Sequence, residues 1–299
     1  MPVELVVRKC NPQNPRDCAA YEQLKPGAVF AHLLTKPAYH ADENLFFAVQ
    51  DEVVIGYVNV VPELGIRRVL LDYAISPVHA REAALGRLIQ EALQRAGEAG
   101  AKVAHINIAA DDATWAELLS QLGFQAVRRF YELSLDISEA DIETFSQIDM
   151  AWRYLKTGEE EMLAQIQNRC FADTWGYNPN TARDIAWWLK VKGTSPGDII
   201  LALDGTQVIG YCWTRLETDC TPAPSKCRGR IFMLGVLPGH RGKGIGRKLL
   251  NAGISHLKRK GRHIIDITVD SHNASAMALY RSFGFQVREQ TIWYERVIN

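Results

Sequence analysis

The chain has 299 residues, of which 47% are hydrophobic and 23% charged, and its 34 basic residues balance 34 acidic ones. The length suggests two domains, and the balanced charge argues against recruitment by nucleic acid or an anionic membrane surface. No apolar run approaches the ~20 residues of a membrane helix, and the first residues lack a secretory pattern. The six scattered cysteines favour reduced thiols and a cytoplasmic location.

Strands and helices alternate through the first half of the chain, which predicts an α/β fold with a mixed sheet and flanking helices. The clearest helix, at residues 81–96, carries Leu85, Leu88, Ile89 and Ala92 on one face. In chain order, the predicted elements are strands at 46–50, 53–61 and 67–75, the helix at 81–96, a strand at 103–109, a helix capped by Asp111 that runs to Leu122, and an extended stretch at 123–135.

The second half repeats this order, which indicates an internal duplication whose period is too long for a solenoid. Its predicted elements are strands at 199–203, 208–214 and 231–236, a helix at 244–260, a strand at 263–269, a helix at 275–283 and final strands from Gly284. A gapless pairing aligns Pro77 with Pro238, His79 with His240, Leu88 with Leu249, and Leu122-Gly123-Phe124 with Phe283-Gly284-Phe285. The predicted domains are therefore 1–138 and 151–299, joined by a linker at 139–150.

A glycine-rich turn separates a predicted strand from a helix in the second half. It reads Arg241-Gly242-Lys243-Gly244-Ile245-Gly246 and is followed by Arg247. The first amides of a helix have no intrahelical partners, and the helix dipole adds roughly half a positive charge there. Glycines let phosphate oxygens approach the backbone, so the turn and its three cations predict a diphosphate site. The motif fits neither the dinucleotide fingerprint nor a P-loop.

The stretch at 231–285 resembles the core of the GNAT acetyltransferase superfamily. The turn matches the acyl-CoA signature of that family, and the segment from Asn273 to Phe285 matches its second motif, in the expected order. The resemblance is strong over 151–299 and extends weakly over 1–135 through the duplication. Such a tandem of a weak first repeat and an intact second one is similar to the mycothiol synthases.

The resemblance implies an N-acetyltransferase that moves an acetyl group from acetyl-CoA to a primary amine of a small molecule or peptide. It implies direct transfer in a ternary complex, since no cysteine falls at a motif position, and it implies no metal. Tyr280 would protonate the departing thiolate or hydrogen-bond it, and the alternative is a core tyrosine. The implied cofactor-binding residues are Leu234, Gly235, Val236, Arg241, Gly242, Lys243, Gly244, Ile245, Gly246, Arg247, Asn273 (alternatively a helix N-cap) and Ala276.

The general base is left open by the sequence. An alkyl ammonium has a pKa near ~10 and must lose a proton, usually to a carboxylate. Where mycothiol synthases place an acidic residue at the start of the strand before the turn, this chain has Arg230, which argues against the mycothiol precursor as acceptor. The candidate bases are Glu217, Asp173, Asp266 and Asp270, each of which could instead be a surface or capping carboxylate. Four aromatic residues could line an acceptor pocket or belong to the core: Trp175, Tyr177, Trp187 and Trp188.

The first repeat has lost the residues that the resemblance assigns to the cofactor. Ala80, Ala83 and Leu85 stand in place of Arg241, Gly244 and Gly246, and Asp112 and Leu119 in place of Asn273 and Tyr280. A Leu85 side chain would fill the phosphate position, and Asp112 and Glu82 would repel the anion. The first domain is therefore predicted to be non-catalytic, with residual coenzyme A binding as the alternative. For the whole chain, the alternative function is a non-catalytic acyl-CoA sensor, and the oligomeric state is open.

Overall fold

The computed structural model describes residues 5–76, 81–138, 149–217 and 227–298. The chain divides into two compact units, Met1–Phe130 with Gln290–Asn299, and Tyr131–Glu289. Each unit combines a mixed sheet with flanking helices, so the predicted fold class is confirmed. Two predictions lie outside the described residues: the pairing of Pro77, His79 and Ala80 with the second repeat, and the linker apart from its residues 149 and 150. Within the described ranges, no helix has the length and apolar composition needed to cross a membrane.

The first repeat builds a sheet with helices between its strands. Its elements are β1 (Leu5–Lys9), α1 (Pro15–Leu24), α2 (Phe30–Leu33), α3 (Ala41–Asn44), β2 (Leu45–Gln50), β3 (Val53–Glu63), β4 (Arg68–Ile75), α4 (Arg81–Glu98), β5 (Val103–Ala109), α5 (Ala113–Gln121) and β6 (Gln125–Asp136). Strands β1 to β5 lie side by side in chain order, and only β4 and β5 run parallel. The prediction missed β1, α1, α2 and α3, and the last two have only four residues each, too few to show a helical period.

The second repeat has the same arrangement. Its elements are β7 (Trp152–Tyr154), α6 (Glu160–Phe171), α7 (Ala182–Trp188), β8 (Ile199–Asp204), β9 (Gln207–Leu216), β10 (Arg228–Val236), α8 (Ile245–Arg259), β11 (Ile264–Asp270), α9 (Ala274–Ser282) and β12 (Gln286–Val297). In the second unit the strand order is β7-β8-β9-β10-β11-β6. Strands β10 and β11 run parallel, whereas β7 to β10 pair antiparallel.

The long helix of each unit packs on its sheet through one apolar face. The predicted face of α4 is fully buried in the first core: Leu85, Leu88, Ile89 and Ala92. In α8, Gly253 allows a close approach, because a Cβ atom there would lie 2.5 Å from Cys212 Sγ and 2.9 Å from Ile231 Cδ1. At α5, the predicted cap Asp111 is wrong by one residue. Asp112 is the N-cap, and its side chain accepts a hydrogen bond from the Trp115 amide at 3.1 Å, so that one orphan helix amide is satisfied.

The last strand of each repeat crosses between the units. The second part of β6, from Tyr131, belongs to the second unit, and the second part of β12, from Gln290, belongs to the first. There, residues Thr291–Val297 pair antiparallel with β5. The limits of the two compact units therefore differ from those of the predicted domains, 1–138 and 151–299. The prediction assigns each final strand to the repeat it comes from.

A buried polar network fixes the end of α8 to the second sheet. His256 Nε2 lies 2.9 Å from Asp198 Oδ1, and its Nδ1 lies 3.2 Å from the Tyr154 hydroxyl. Ser195 Oγ donates to the second Asp198 oxygen at 2.5 Å. Burial raises the pKa of Asp198, but the hydrogen bonds from His256 and Ser195 outweigh it, so the pKa lies below its usual value. The ionised carboxylate therefore stabilises the folded unit.

We expect Asp198→Asn to destabilise the second unit by about 2 kcal/mol at pH 7, since it weakens buried hydrogen bonds to a charged group. Asp198 is only 4% exposed, so solvent does not compensate. Because its folded-state pKa is lowered, its contribution is present above the unfolded value of ~3.9 and is lost as pH falls through the folded-state pKa. Urea unfolding at pH 7 and pH 3.5 should show a difference from wild type that shrinks at the lower pH. The exposed turn variant Asp204→Asn is the control, and an equal loss in both variants would refute the role of the network.

Candidate active site

Strands β10 and β11 separate in the middle of the second sheet. They pair only from Arg228 opposite Ile264 to Ile231 opposite Ile267. Beyond this point both strands continue, and β10 shifts its register against β9 between Ile231 and Met233. Within the described chain, the last five residues of β10 therefore have no paired strand on the edge that faces β11, and this edge is open. Backbone groups on an open strand edge can pair with an extended, amide-containing ligand.

The predicted strand residues lie along this opening. Leu234 and Val236 pack against the core beneath α8 and α9. Gly235 is required on the opposite face, because a Cβ atom there would lie 2.9 Å from the Tyr211 ring and 3.0 Å from Cys170 Cβ. Glycine therefore lets the end of α6 pack against β10 beside the opening.

The glycine-rich turn has the conformation of an anion site. Gly242 and Gly244 have φ values of 77° and 78°, in the left-handed region that favours glycine. Gly244 is the N-cap of α8, and no side chain caps that helix. From Gly242 to Arg247, no backbone N–H donates to a residue in the described ranges. A Cβ atom at Gly242 or Gly244 would meet no atom within 4 Å, so an anion can reach these amides.

Two of the three predicted cations also have structural partners. Arg241 donates from Nε to the Val236 carbonyl at 3.1 Å and from Nη2 to the Cys170 carbonyl at 2.7 Å. Its own amide, predicted to bind the phosphate, donates instead to the Pro238 carbonyl at 3.2 Å, because the preceding residues form a single helical turn. Arg247 donates to Ser282 Oγ at 2.8 Å. Lys243 is exposed on the same turn.

Helix α9 begins beside the opening with Asn273 as its N-cap. The Asn273 side-chain oxygen accepts hydrogen bonds from the Ala276 amide at 3.1 Å and from Ser275 Oγ at 3.0 Å. Asp112, its counterpart in the first repeat, caps α5 in the same way. The capping interpretation of Asn273 is thus what the structure shows, and its side-chain NH₂ group is what it could offer a ligand. The Ala276 amide is already used by the cap.

Tyr280 is on α9, and its ring lies in the core of the second unit. It is 6% exposed, and its ring centroid is 6.0 Å from that of Phe285. Burial, and to a smaller extent the nearby Cys212, raises the pKa of its hydroxyl above the usual value. The phenol is therefore protonated at neutral pH. Its hydroxyl makes no hydrogen bond to another described residue, so it is able to donate one.

The structure separates the four predicted base candidates. Asp266 is fully buried, and Arg228 binds both its oxygens at 2.6 and 2.5 Å. Asp270 accepts from the His272 amide at 2.9 Å and so holds the turn before α9. Asp173 is exposed in the segment after α6. Glu217 follows β9, 3.8 Å from Arg230 Nε. Asp266 is therefore structural, and Glu217 is the candidate whose carboxylate lies near an arginine of β10.

The sequence did not point to Glu132, which binds Arg230. Arg230 Nη2 donates to Glu132 Oε1 at 2.5 Å, and Thr268 Oγ1 donates to Glu132 Oε2 at 2.6 Å. Glu132 is on β6, in the part that belongs to the second unit. Because β6 comes from the first repeat, only the exchange of strands brings this carboxylate to the site, and no local pattern could have revealed it.

The predicted aromatic residues pack around α6 and α7. The Trp188 ring lies 4.9 Å from Trp187 and 5.4 Å from Phe232 of β10. Tyr177 stacks on Phe171 at 5.5 Å, and its hydroxyl donates to Asn168 at 2.8 Å. Trp188 thus contacts the strand that lines the opening, whereas Tyr177 fixes the segment after α6.

The first unit keeps the separated strands but not the turn. Strands β4 and β5 pair only from Arg68 to Leu71, so they also part. However, the chain is already helical from Arg81, which aligns with Gly242, so amides from Leu85 onward are used within α4. The Leu85 side chain is buried in the core, and its effect on a phosphate stays a prediction. The first unit is therefore helical where the second unit has the glycine-rich turn.

Comparison with known proteins identifies the family. Residues 160–285 match the model of the acetyltransferase (GNAT) family. The chain is 28% identical over 266 residues to a mycothiol acetyltransferase of Pseudarthrobacter chlorophenolicus, covering 88% of this chain and 80% of that one. It is 25% identical over 278 residues to one from an Arthrobacter species, covering 91% and 83%.

Solved structures share the fold over the whole chain. A tandem GNAT protein from the clavulanic acid biosynthesis pathway superposes with a TM-score of 0.74 at 12% identity, covering 99% of both chains. A GCN5-related N-acetyltransferase from Sphaerobacter thermophilus gives 0.71 at 17% identity, covering 99% and 96%. With the turn, the open strand edge and Tyr280, these similarities lead to one conclusion. Residues 160–285 form a domain of the GNAT acetyltransferase family, the fold consists of two tandem GNAT-like units, and the chain is an acetyl-CoA-dependent acetyltransferase.

Proposed function

We propose that the chain acetylates a primary amine of a small molecule or peptide by direct transfer from acetyl-CoA. The second unit is the catalytic one in this proposal, and the first is non-catalytic. The observation that carries it is the turn from Gly242 to Arg247, whose amides are open to an anion next to the unpaired edge of β10. The amides suit the diphosphate of coenzyme A, and the strand edge suits its amide-containing arm.

Tyr280 supports catalysis rather than simple binding. Acetyl-CoA supplies an activated acyl thioester, and the reaction releases a thiolate that needs a proton. A phenol that is protonated at neutral pH can donate a hydrogen bond, or its proton, to that thiolate. A binding module would have no use for such a donor.

Direct transfer is supported by the state of the nearby cysteines. Cys170 and Cys212 are buried in the second unit. Burial raises the pKa of Cys170 to about 11 and that of Cys212 above its usual value. Since the thiolate is the nucleophilic form, neither thiol is suited to carry the acetyl group. The amine itself is then the nucleophile.

The acceptor is proposed only as a primary amine. The relatives are named for mycothiol acetylation. Position 230, where the resemblance to mycothiol synthases leads one to expect an acid, is an arginine bound to Glu132. We therefore do not extend the acceptor of the relatives to this chain.

Thiol release tests the proposal. Purified full-length protein is mixed with acetyl-CoA and, separately, glucosamine, kanamycin, ethanolamine and a short peptide with a free amino terminus. Free thiol is followed with a colour reagent, and the acetylated product is identified by mass spectrometry. Turnover of an amine supports the proposal. Tight acetyl-CoA binding without turnover of any amine would favour the alternative, a non-catalytic acyl-CoA sensor.

Tyr280→Phe is expected to lower kcat about 100-fold, the usual order for loss of a proton donor. The phenyl ring keeps its packing against Phe285, so acetyl-CoA affinity should change little. Steady-state kinetics and calorimetric titration with acetyl-CoA measure the two quantities. Tyr294→Phe, at a buried tyrosine of the first unit, is the matched control. Wild-type kcat in Tyr280→Phe would exclude the hydroxyl as the donor.

A further inference from the structure

A carboxylate from the first repeat lies in the second unit. Glu132 is on the part of β6 that the second unit contains, between core residues of that unit such as Tyr131 and Leu133. Its side chain is 13% exposed, so it is sheltered but reachable from solvent. Its neighbour along the strand, Leu133, is fully buried, which places Glu132 on the opposite face of the sheet.

Glu132 is held by three contacts that leave it able to accept a further hydrogen bond. Arg230 donates to Oε1 at 2.5 Å and to Oε2 at 3.3 Å, and Thr268 donates to Oε2 at 2.6 Å. Arg288 of β12 lies 4.0 Å from Oε1. Each carboxylate oxygen can accept two hydrogen bonds, so Oε1 still has capacity for a substrate or a water molecule.

The position of these partners places Glu132 where the strands part. Arg230 immediately precedes Ile231, the last residue of β10 that pairs with β11. Thr268 immediately follows Ile267, the last such residue of β11. A side chain bound to both therefore lies at the beginning of the opening.

The charges closest to Glu132 are positive. Arg230 on β10 and Arg288 on β12 face it directly. On β9, Arg215 lies opposite Arg230, and Glu217 lies 3.8 Å from Arg230. Placing two arginines directly opposite each other on neighbouring strands is unfavourable, so the carboxylate of Glu132 offsets a local excess of positive charge.

We propose that Glu132 binds the acceptor ammonium and accepts its proton, directly or through one water molecule, with Arg230 and Thr268 as positioning residues. This proposal rests on the proposed acetylation of an amine. Glu132, on β6 of the first repeat, thereby supplies the carboxylate that position 230 lacks. Glu217 is less suited, because it is 38% exposed and lies 3.8 Å from Arg230.

The proton balance of the reaction is complete with these groups. Glu132 takes one proton from the ammonium, which leaves a neutral amine with a free electron pair. The amine nitrogen bonds to the thioester carbonyl carbon, and the carbon–sulfur bond breaks. The thiolate takes a proton from Tyr280, which regains one from the nitrogen that becomes the amide. Glu132 then releases its proton to solvent.

Glu132→Gln tests the proposal, because glutamine keeps the shape but cannot take a proton. We expect kcat to fall about 100-fold with the best acceptor among glucosamine, kanamycin, ethanolamine and the peptide. Acetyl-CoA affinity and the thermal midpoint should stay close to wild type. The acidic limb of the kcat profile should disappear. Glu289→Gln, at a 62% exposed carboxylate of β12, is the control and should change kcat less than about twofold.

Arg230→Gln separates positioning from packing. Removing the facing positive charge makes the ionised form of Glu132 less favourable, so the acidic limb should move to higher pH. A purely structural role of Arg230 would lower stability without moving that limb. An unchanged limb would therefore remove Arg230 from the proposal.

Two further measurements keep the test independent of the acceptor and of folding. Added formate should restore part of the activity of Glu132→Ala. If no amine is turned over, the amine proposal fails. Glu132→Gln and wild type can then still be compared by the slow release of thiol from acetyl-CoA with water as the acceptor. Unchanged thiol release in Glu132→Gln, with either acceptor, would overturn the role of Glu132.

Discussion

Replacing Gly246 with leucine is expected to weaken acetyl-CoA binding at least about 100-fold, a loss of roughly 2.7 kcal/mol. A Cβ atom at this position would lie 3.7 Å from Leu279 Cδ2 and 3.9 Å from Val236 Cγ2. A single methyl group therefore fits, but a larger side chain extends into the space between the strand end and α9. That is where the bound diphosphate and the arm beyond it would pass.

Calorimetric titration with acetyl-CoA measures this loss, and thermal unfolding checks that the variant is folded. Gly246→Ala should bind more weakly than wild type but better than the leucine variant. Gly239→Ala is the control in the same loop, because a Cβ atom there would meet no atom within 4 Å. Normal binding by Gly246→Leu would mean that the diphosphate lies elsewhere.

Cutting the chain into the two predicted domains should leave neither fragment folded. Fragment 151–299 lacks the β6 residues Leu133 and Leu135, which belong to the second core. Fragment 1–138 lacks Tyr294 and the strand that pairs with β5. Losing one large buried side chain costs about 2–5 kcal/mol, and whole-domain stability is about 5–15 kcal/mol. The lost strands therefore remove most of what stabilises each unit.

Circular dichroism and limited proteolysis of each fragment alone measure this effect. The two fragments produced together should assemble into a protease-resistant complex that binds acetyl-CoA, and this co-production is the control. A folded, monomeric 151–299 fragment with normal acetyl-CoA binding would contradict the importance of the exchange.

Sequence periodicity predicted the features that depend on neighbouring residues. The buried face of α4 follows from a 3.6-residue repeat, and the strands around Asp204-Gly205 follow from alternation and turn residues. The turn from Gly242 to Gly246 was identifiable because glycines repeated between a strand and a helix indicate a positive φ or a close approach of a ligand to the backbone. These patterns are local, so one sequence suffices to recognise them.

The features that sequence did not predict depend on contacts between distant residues. Glu132 reaches Arg230 across 98 positions of the chain. The buried pairing of Asp266 with Arg228 made one base candidate structural. In each case the residue type alone allows several roles. A neighbour that is distant in sequence but close in the fold decides which role the side chain has.

The exchange of final strands also affects how the protein can be made in the cell. Domains usually fold in order as the amino terminus leaves the ribosome. Here the first unit receives Thr291–Val297 as the strand beside β5, and these residues are synthesised after the whole of the second unit. The first unit therefore cannot complete its sheet until the second repeat has been translated. Until then, the edge of β5 is exposed to pairing with other nascent chains.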